Sequence, residues 1–156
     1  MVEHVPAATI DILPTIAALT GAPPPQLPID GRQITSLMMN SPEQTDPHEA
    51  LFFYYGDGEL QAMRAGKWKL LFPHTARTMD GQAPGHDGIP GKYRPLEVGL
   101  ELYDLEIDPG ERHNIADAQP AVVREMQAKA SAMRLELGDK LQNVHGNAVR
   151  PPGMLE

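Results

Sequence analysis

Gly and Pro punctuate this chain so densely that only one long regular element fits into it. Among 156 residues, 14 are Gly and 16 are Pro. Gly weakens helix and strand interiors and Pro removes a backbone donor, so turns and loops must take much of the sequence. The long exception runs from Pro120 to Leu137. There Val123, Met126, Ala130, Met133 and Leu137 recur at three- and four-residue spacing, while Arg124, Lys129 and Arg134 fall elsewhere, which predicts an amphipathic helix. Pro120 suits its first turn and Gly138 its stop.

Around that helix the remaining segments read as short strands. Leu51-Phe52-Phe53-Tyr54-Tyr55 is aromatic and ends at the turn signal Gly56-Asp57-Gly58. Gln61 to Arg64 leads through Ala65-Gly66 into Lys67 to Phe72, where Lys67 and Lys69 alternate with Trp68 and Leu70. Leu100 to Leu105 alternates again, and Asp108-Pro109-Gly110-Glu111 makes a tight turn. These segments predict an antiparallel meander covered on one face by the helix, an α+β fold with about four strands. Met63, Trp68 and the Phe52 to Tyr55 cluster are assigned to its core.

Upstream, Asp11 to Gly21 reads as a short helix with Asp11 as N-cap, Pro14 in its first turn and Gly21 as its stop. Ile12, Ile16 and Leu19 share one face, and no wide polar face opposes them, so this helix is expected to pack against something larger. Ala22-Pro23-Pro24-Pro25 stiffens its exit. Asp30-Gly31-Arg32 predicts a turn before a short helical piece, Thr35 to Met39.

Composition excludes several kinds of chemistry. Without cysteine there is no disulfide, thiolate metal site or cysteine nucleophile in this chain. A formal net charge of -8 argues against a nucleic-acid partner, because phosphate contacts need clustered Lys and Arg. No apolar run reaches a membrane span, so no membrane partner is expected. The start, Met1-Val2-Glu3-His4, has no basic region before an apolar run and does not read as a signal peptide. Ser36, Ser41 and Ser131 sit in no Gly-x-Ser-x-Gly elbow, and Gly66-Lys67 is a hairpin turn rather than part of a phosphate loop. Asp104, Glu106 and Asp108 alternate like a cation loop but lack the Gly and distal Glu of an EF-hand. No catalytic residue and no metal ligand is assigned.

The polar stretch from Pro73 to Gly99 is expected to be a long loop, and loops of that length concentrate binding residues. It carries His74, Arg77, His86 and Lys92, the substrate-binding candidates, since such groups suit sulfate or phosphate oxygens.

The order of motifs resembles the sulfatases of the alkaline phosphatase superfamily, in particular bacterial relatives of arylsulfatase A. Asp11-Ile12-Leu13-Pro14-Thr15, Thr20-Gly21 and Ile29-Asp30-Gly31-Arg32 resemble the segment that closes their catalytic domain. Leu51 to Tyr55, Arg64-Ala65-Gly66-Lys67-Trp68-Lys69-Leu70, Glu101-Leu102-Tyr103-Asp104-Leu105 and Asp108-Pro109-Gly110-Glu111 with Asn114 resemble their C-terminal subdomain, and Val149-Arg150-Pro151-Pro152-Gly153 their tail. The resemblance implies residues 1–48 as the end of a catalytic domain, 49–142 as an antiparallel-sheet subdomain with helix 120–137, and 143–156 as an irregular tail. It also implies that the stretch from Pro73 to Arg94 approaches a substrate pocket, which puts His74 first, with Arg77 and His86 behind it.

Sulfatases make a formylglycine from Cys or Ser in a Cys/Ser-x-Pro/Ala-x-Arg motif and hold a calcium ion with Asp and Asn. Here there is no Cys, and no Ser is followed four residues on by Arg. No cofactor is therefore assigned to this chain, and calcium is expected only in a full-length parent. The partners implied are a sulfate-ester substrate within that enzyme and the N-terminal catalytic domain missing here. Relatives are often periplasmic or secreted, and localisation is left open. Two alternatives stay open: part of a phosphonate or phosphate monoester hydrolase, and a stand-alone binding module.

Overall fold

The structure, a computed structural model, describes residues 5–24, 26–41 and 46–149. Met1 to His4, Pro25 of the proline run and Arg150-Pro151-Pro152-Gly153 of the tail lie outside the described residues. The chain divides into two compact units, Met1–Leu51 and Phe52–Glu156.

In the first unit a 3-10 turn, Thr9–Asp11, runs into helix α1, Ile12–Thr20, which stops at Gly21 as the sequence predicts. A second helix, α2, covers Thr35–Met38. The unit is organised around buried Asp11, which stands at the N-cap position of α1 as the sequence predicts. Its side chain makes no cap bond within the helix. Instead Oδ2 accepts from Ala8 N at 2.8 Å, and Oδ1 accepts from Arg32 N at 2.8 Å and from the His48 ring at 2.7 Å. A carboxylate is acceptor-only, so His48 Nε2 carries the shared proton. Thr15 donates to Asp11 O and accepts from Ile34 N, closing a buried polar knot. Gly31 seals it: a Cβ there would lie 1.9 Å from Ile10 O, so no other residue fits without moving the backbone. The side of α1 carrying Asp11 and Thr15 is thus turned inward, while Ile12, Leu13, Ile16 and Leu19 are exposed.

The second unit holds the meander. Strands β1 (Leu51–Tyr55), β2 (Glu59–Ala65), β3 (Trp68–Leu71) and β6 (Glu101–Asp104) form a sheet in the order β1-β2-β3-β6. β3 runs antiparallel to both neighbours, and the register aligns Met63 with Leu70 and Leu70 with Leu102. All three are fully buried, as are Leu60 and, on helix α3 (Pro120–Leu137), Met126 to within 2%. Each contributes about 1.5–3 kcal/mol by leaving water. The outer edge of β6 is closed by Asn114, whose Oδ1 accepts from Leu102 N at 3.0 Å, and by Ile115 N, which donates to Leu102 O at 2.9 Å. That closure removes an open pairing edge.

Three expectations change. The stretch from Pro73 to Gly99 is not a loop. Strands β4 (His74–Thr78) and β5 (Arg94–Val98) pair antiparallel as a separate two-stranded ribbon, with His74 opposite Val98 and Thr78 opposite Arg94. Beyond them the connection doubles back through a two-residue hairpin in which His86 and Ile89 exchange backbone bonds around Asp87 and Gly88. Both central residues have positive φ, 52° and 77°, the type I′ pattern that an Asp-Gly pair favours. Second, Arg134 sits on the buried face of α3, not the wet one. Its Nε donates to Asp139 Oδ2 at 2.7 Å and its guanidinium lies 4.5 Å from the Phe72 ring centroid. Third, the aromatic run splits: Phe53 and Tyr55 are exposed, and Trp68 is half-buried beneath the Lys67 ammonium, 4.6 Å from its centroid. Met63 is core as expected.

Candidate functional site

The two faces of the four-stranded sheet differ in what they present. Met63, Leu70, Phe72 and Leu102 lie on the face toward α3, as the register and the Arg134–Phe72 stack require. The opposite face presents Ala62, Lys69 and Leu71 beside Phe53 and Tyr55 of β1, and these residues, with Gln61 and His74, line a shallow hollow of about 250 Å³. That is below the usual range for a drug-sized ligand.

His74 stands at this hollow because β3 ends at Leu71 and Pro73 turns the chain into the ribbon. Its Nδ1 lies 2.7 Å from Phe72 O. A carbonyl only accepts, so Nδ1 carries a proton, and Nε2 of this half-buried ring has no hydrogen-bond partner among the described residues. Lys69, a cation at the hollow, is held at 2.7 Å by both carboxylate oxygens of Glu111. Nearby, burial and the hydrogen bond to Glu101 raise the Tyr103 phenol well above its ordinary range, so it stays neutral.

The other three candidates do not join His74. Arg77 lies three residues along β4, and strand alternation puts it on the opposite face of the ribbon, stacked 5.3 Å from the Tyr93 ring centroid. His86 is in the exposed hairpin at the tip, with Nδ1 3.1 Å from Asp87 Oδ2. Lys92 is exposed in the connection before β5. The four are spread along the ribbon rather than gathered at one point. Tyr93 was missed, although its place beside basic residues in a polar stretch was a readable signal. Phe53 and Tyr55 at the hollow were assigned to the core, because an unbroken aromatic run hides which residues face which way.

The acidic residues are engaged with the fold. Asp104 accepts from Lys67 Nζ at 2.7 Å, and this bond first of all holds its carboxyl below the usual range. Asp108 opposes its own partial burial by accepting from His113 N and Arg112 N, which together keep its carboxyl low. Among the described residues no three His, Cys, Asp or Glu side chains are grouped to hold a metal ion. Nor is any described helix long and apolar enough to cross a membrane.

The fold is thus an α+β module whose polar chemistry lies on an open sheet face and a projecting ribbon. It belongs to a known family: residues 46–152 match the family described as the C-terminal region of aryl-sulfatase, and the chain is a C-terminal sulfatase region. It is 35% identical to arylsulfatase A of Homo sapiens over 140 residues, covering 81% of this chain and 26% of that protein. Against arylsulfatase A of Bos taurus the identity is 34% over 146 residues, covering 87% and 27%. Steryl-sulfatase of Homo sapiens is 38% identical over 128 residues, covering 72% and 21%. Among solved structures, a protein from work on the metabolism of multiple glycosaminoglycans by Bacteroides thetaiotaomicron aligns at a TM-score of 0.54 and 25% identity, over 81% of this chain and 24% of its own. The chain spans about a quarter of the length of the relatives it matches.

Proposed function

We propose that this chain walls the substrate pocket of a sulfatase, while the formylglycine nucleophile and the calcium ligands come from residues outside it. In this reading residues 1–48 complete the catalytic domain and residues 49–142 form the pocket-shaping subdomain. The observation that carries it is His74, a half-buried imidazole pinned through Nδ1 to Phe72 O, with Nε2 unpartnered among the described residues beside an open hollow. Neutral, Nε2 accepts a hydrogen bond from a substrate hydroxyl; protonated, it donates one to a sulfate oxygen. Pinning the ring through its other nitrogen reduces the ordering cost of that contact. The nucleophile has no source here, since there is no Cys and no Ser has Arg four residues on.

The outward apolar side of α1 supports the same reading. Ile16 is 53% exposed and Leu19 57%, with Ile12 and Leu13 alongside. A patch of this kind marks a surface that another polypeptide covers, and in this reading a sulfatase catalytic domain is that polypeptide.

Two measurements test the proposal. The pure chain hydrolyses no aryl sulfate, with or without calcium; genuine turnover refutes it. In a full-length parent, His74→Ala changes KM or kcat with the fold intact, whereas unchanged kinetics on several sulfate esters removes His74 from the pocket.

A further inference from the structure

We propose that Arg77 and Tyr93 form a second anion-binding platform, which takes a sulfate or carboxylate on an extended polyanionic saccharide while His74 contacts the group being processed; this rests on the reading of His74 above. The ribbon carries three cations, Arg77, Lys92 and Arg94. Arg94 is occupied: Nε donates to Asp80 O at 3.0 Å, and Nη2 meets Asp80 Oδ2 at 3.3 Å. Arg77 has no carboxylate partner among the described residues, and its guanidinium lies 5.3 Å from the Tyr93 ring centroid. Stacking on an aromatic face fixes the plane of a guanidinium and leaves its N–H edge free for a planar or tetrahedral oxyanion. Tyr93 is 53% exposed and offers the remainder of its ring to the apolar face of a sugar.

The platform cannot share an anion with His74. The β4–β5 register runs without a bulge from His74 opposite Val98 to Thr78 opposite Arg94, so His74 and Arg77 point to opposite faces. Three residues of strand separate them by about 10 Å. A single aryl sulfate does not span that distance around a ribbon edge; an oligosaccharide with charged groups on successive rings does. Glu97, diagonal to Arg77 on the same face, accepts from Thr75 Oγ1 at 3.0 Å. Its charge directs an incoming anion away from the ribbon base, toward Tyr93 and the free Lys92 ammonium.

The test is calorimetric titration of the 156-residue chain at low ionic strength with a heparin-derived tetrasaccharide and, separately, with p-nitrophenyl sulfate. The tetrasaccharide binds at least about tenfold tighter than the monosulfate, and Arg77→Gln and Tyr93→Leu each weaken it by about tenfold. Arg77→Lys retains only part of the affinity, because the ammonium lacks the flat fork that stacks. Circular dichroism establishes that each variant is folded. Wild-type tetrasaccharide affinity in Arg77→Gln, or no measurable binding by the unmodified chain, overturns the platform. If His74→Gln loses the monosulfate while Arg77→Gln keeps the tetrasaccharide, the platform falls and the reading of His74 survives. If Arg77→Gln loses the tetrasaccharide while His74→Gln binds both ligands normally, it is His74 that falls.

Discussion

Replacing Asp139 with Asn removes the charge that compensates a buried guanidinium, and the size of the loss follows from what Asp139 holds. Its side chain is fully buried, as Arg134 nearly is, and Oδ2 accepts from Arg134 Nε at 2.7 Å. Oδ1 accepts from Leu60 N at 3.2 Å and from Leu141 N at 3.0 Å, so this carboxylate also ties the end of α3 to β2. An Asn there keeps one acceptor for the two amides but leaves Arg134 charged in a site with Phe72 on one side, and Arg134 Nη2 already has no partner of its own. Breaking a buried pair by neutralising one member costs about 3–5 kcal/mol, because the other charge stays desolvated. For a unit of this size that lowers the melting temperature by more than about 10 °C. Trp68, the only tryptophan, lies in this unit and reports its unfolding by fluorescence during a urea titration. Arg134→Met in the Asp139→Asn background removes the orphaned charge, and the double variant recovers most of the loss. If Asp139→Asn costs less than about 1 kcal/mol, or the double variant is as unstable as the single one, the ion pair is not what holds α3 to the sheet.

Three further outcomes follow from the first unit and its surface. Burial raises the Asp11 pKa, but bonds from Arg32 N and Ala8 N, then the His48 bond and charge, outweigh it and hold the carboxyl below its ordinary value. That contribution to stability is complete above the unfolded value of about 3.9 and is lost as pH falls through the lower folded value. The Ala8 and Arg32 amide resonances should therefore show a step on strong acidification, and Asp11→Asn should remove it; persistence of that step in Asp11→Asn contradicts the geometry. Gly31→Ala drives a methyl into Ile10 O and costs about 1–3 kcal/mol or more, read as lost hydrogen-exchange protection at Thr15 and Ile34 with the Trp68 transition unchanged. Ile16→Lys with Leu19→Lys leaves helix content intact and abolishes dye binding and self-association of the isolated chain; persistence of both shows that α1 is not the sticky surface.

Periodicity within single elements is legible in the sequence, and so are the family and its C-terminal place. The bounds of α3 fall where Pro120 and Gly138 put them, and the Lys67 to Phe72 alternation places Leu70 inside and Lys69 outside. These are local facts, carried by residues two to four positions apart. The same logic misjudged Arg134, since whether a guanidinium sits inside depends on a carboxylate arriving to meet it. Asp139 does so only because the chain reverses after Gly138 and pairs Asp139 with Val144.

At the candidate site the division is sharper. His74 was a candidate by residue type and position alone, whereas its tautomer is set by the Phe72 carbonyl. The separation of His74 from Arg77 was not legible either, because a stretch read as loop has no faces, and pairing with residues 94–98 creates them. By itself the sequence determined the family, the helix and the sheet strands. Tertiary structure alone decided that the Asp11 carboxylate binds a histidine 37 residues away, that α1 turns its apolar side outward, and that the substrate candidates divide between two faces of a ribbon. The physical reason is that burying a charge, fixing a proton and giving a strand its faces each require a partner from elsewhere in the chain.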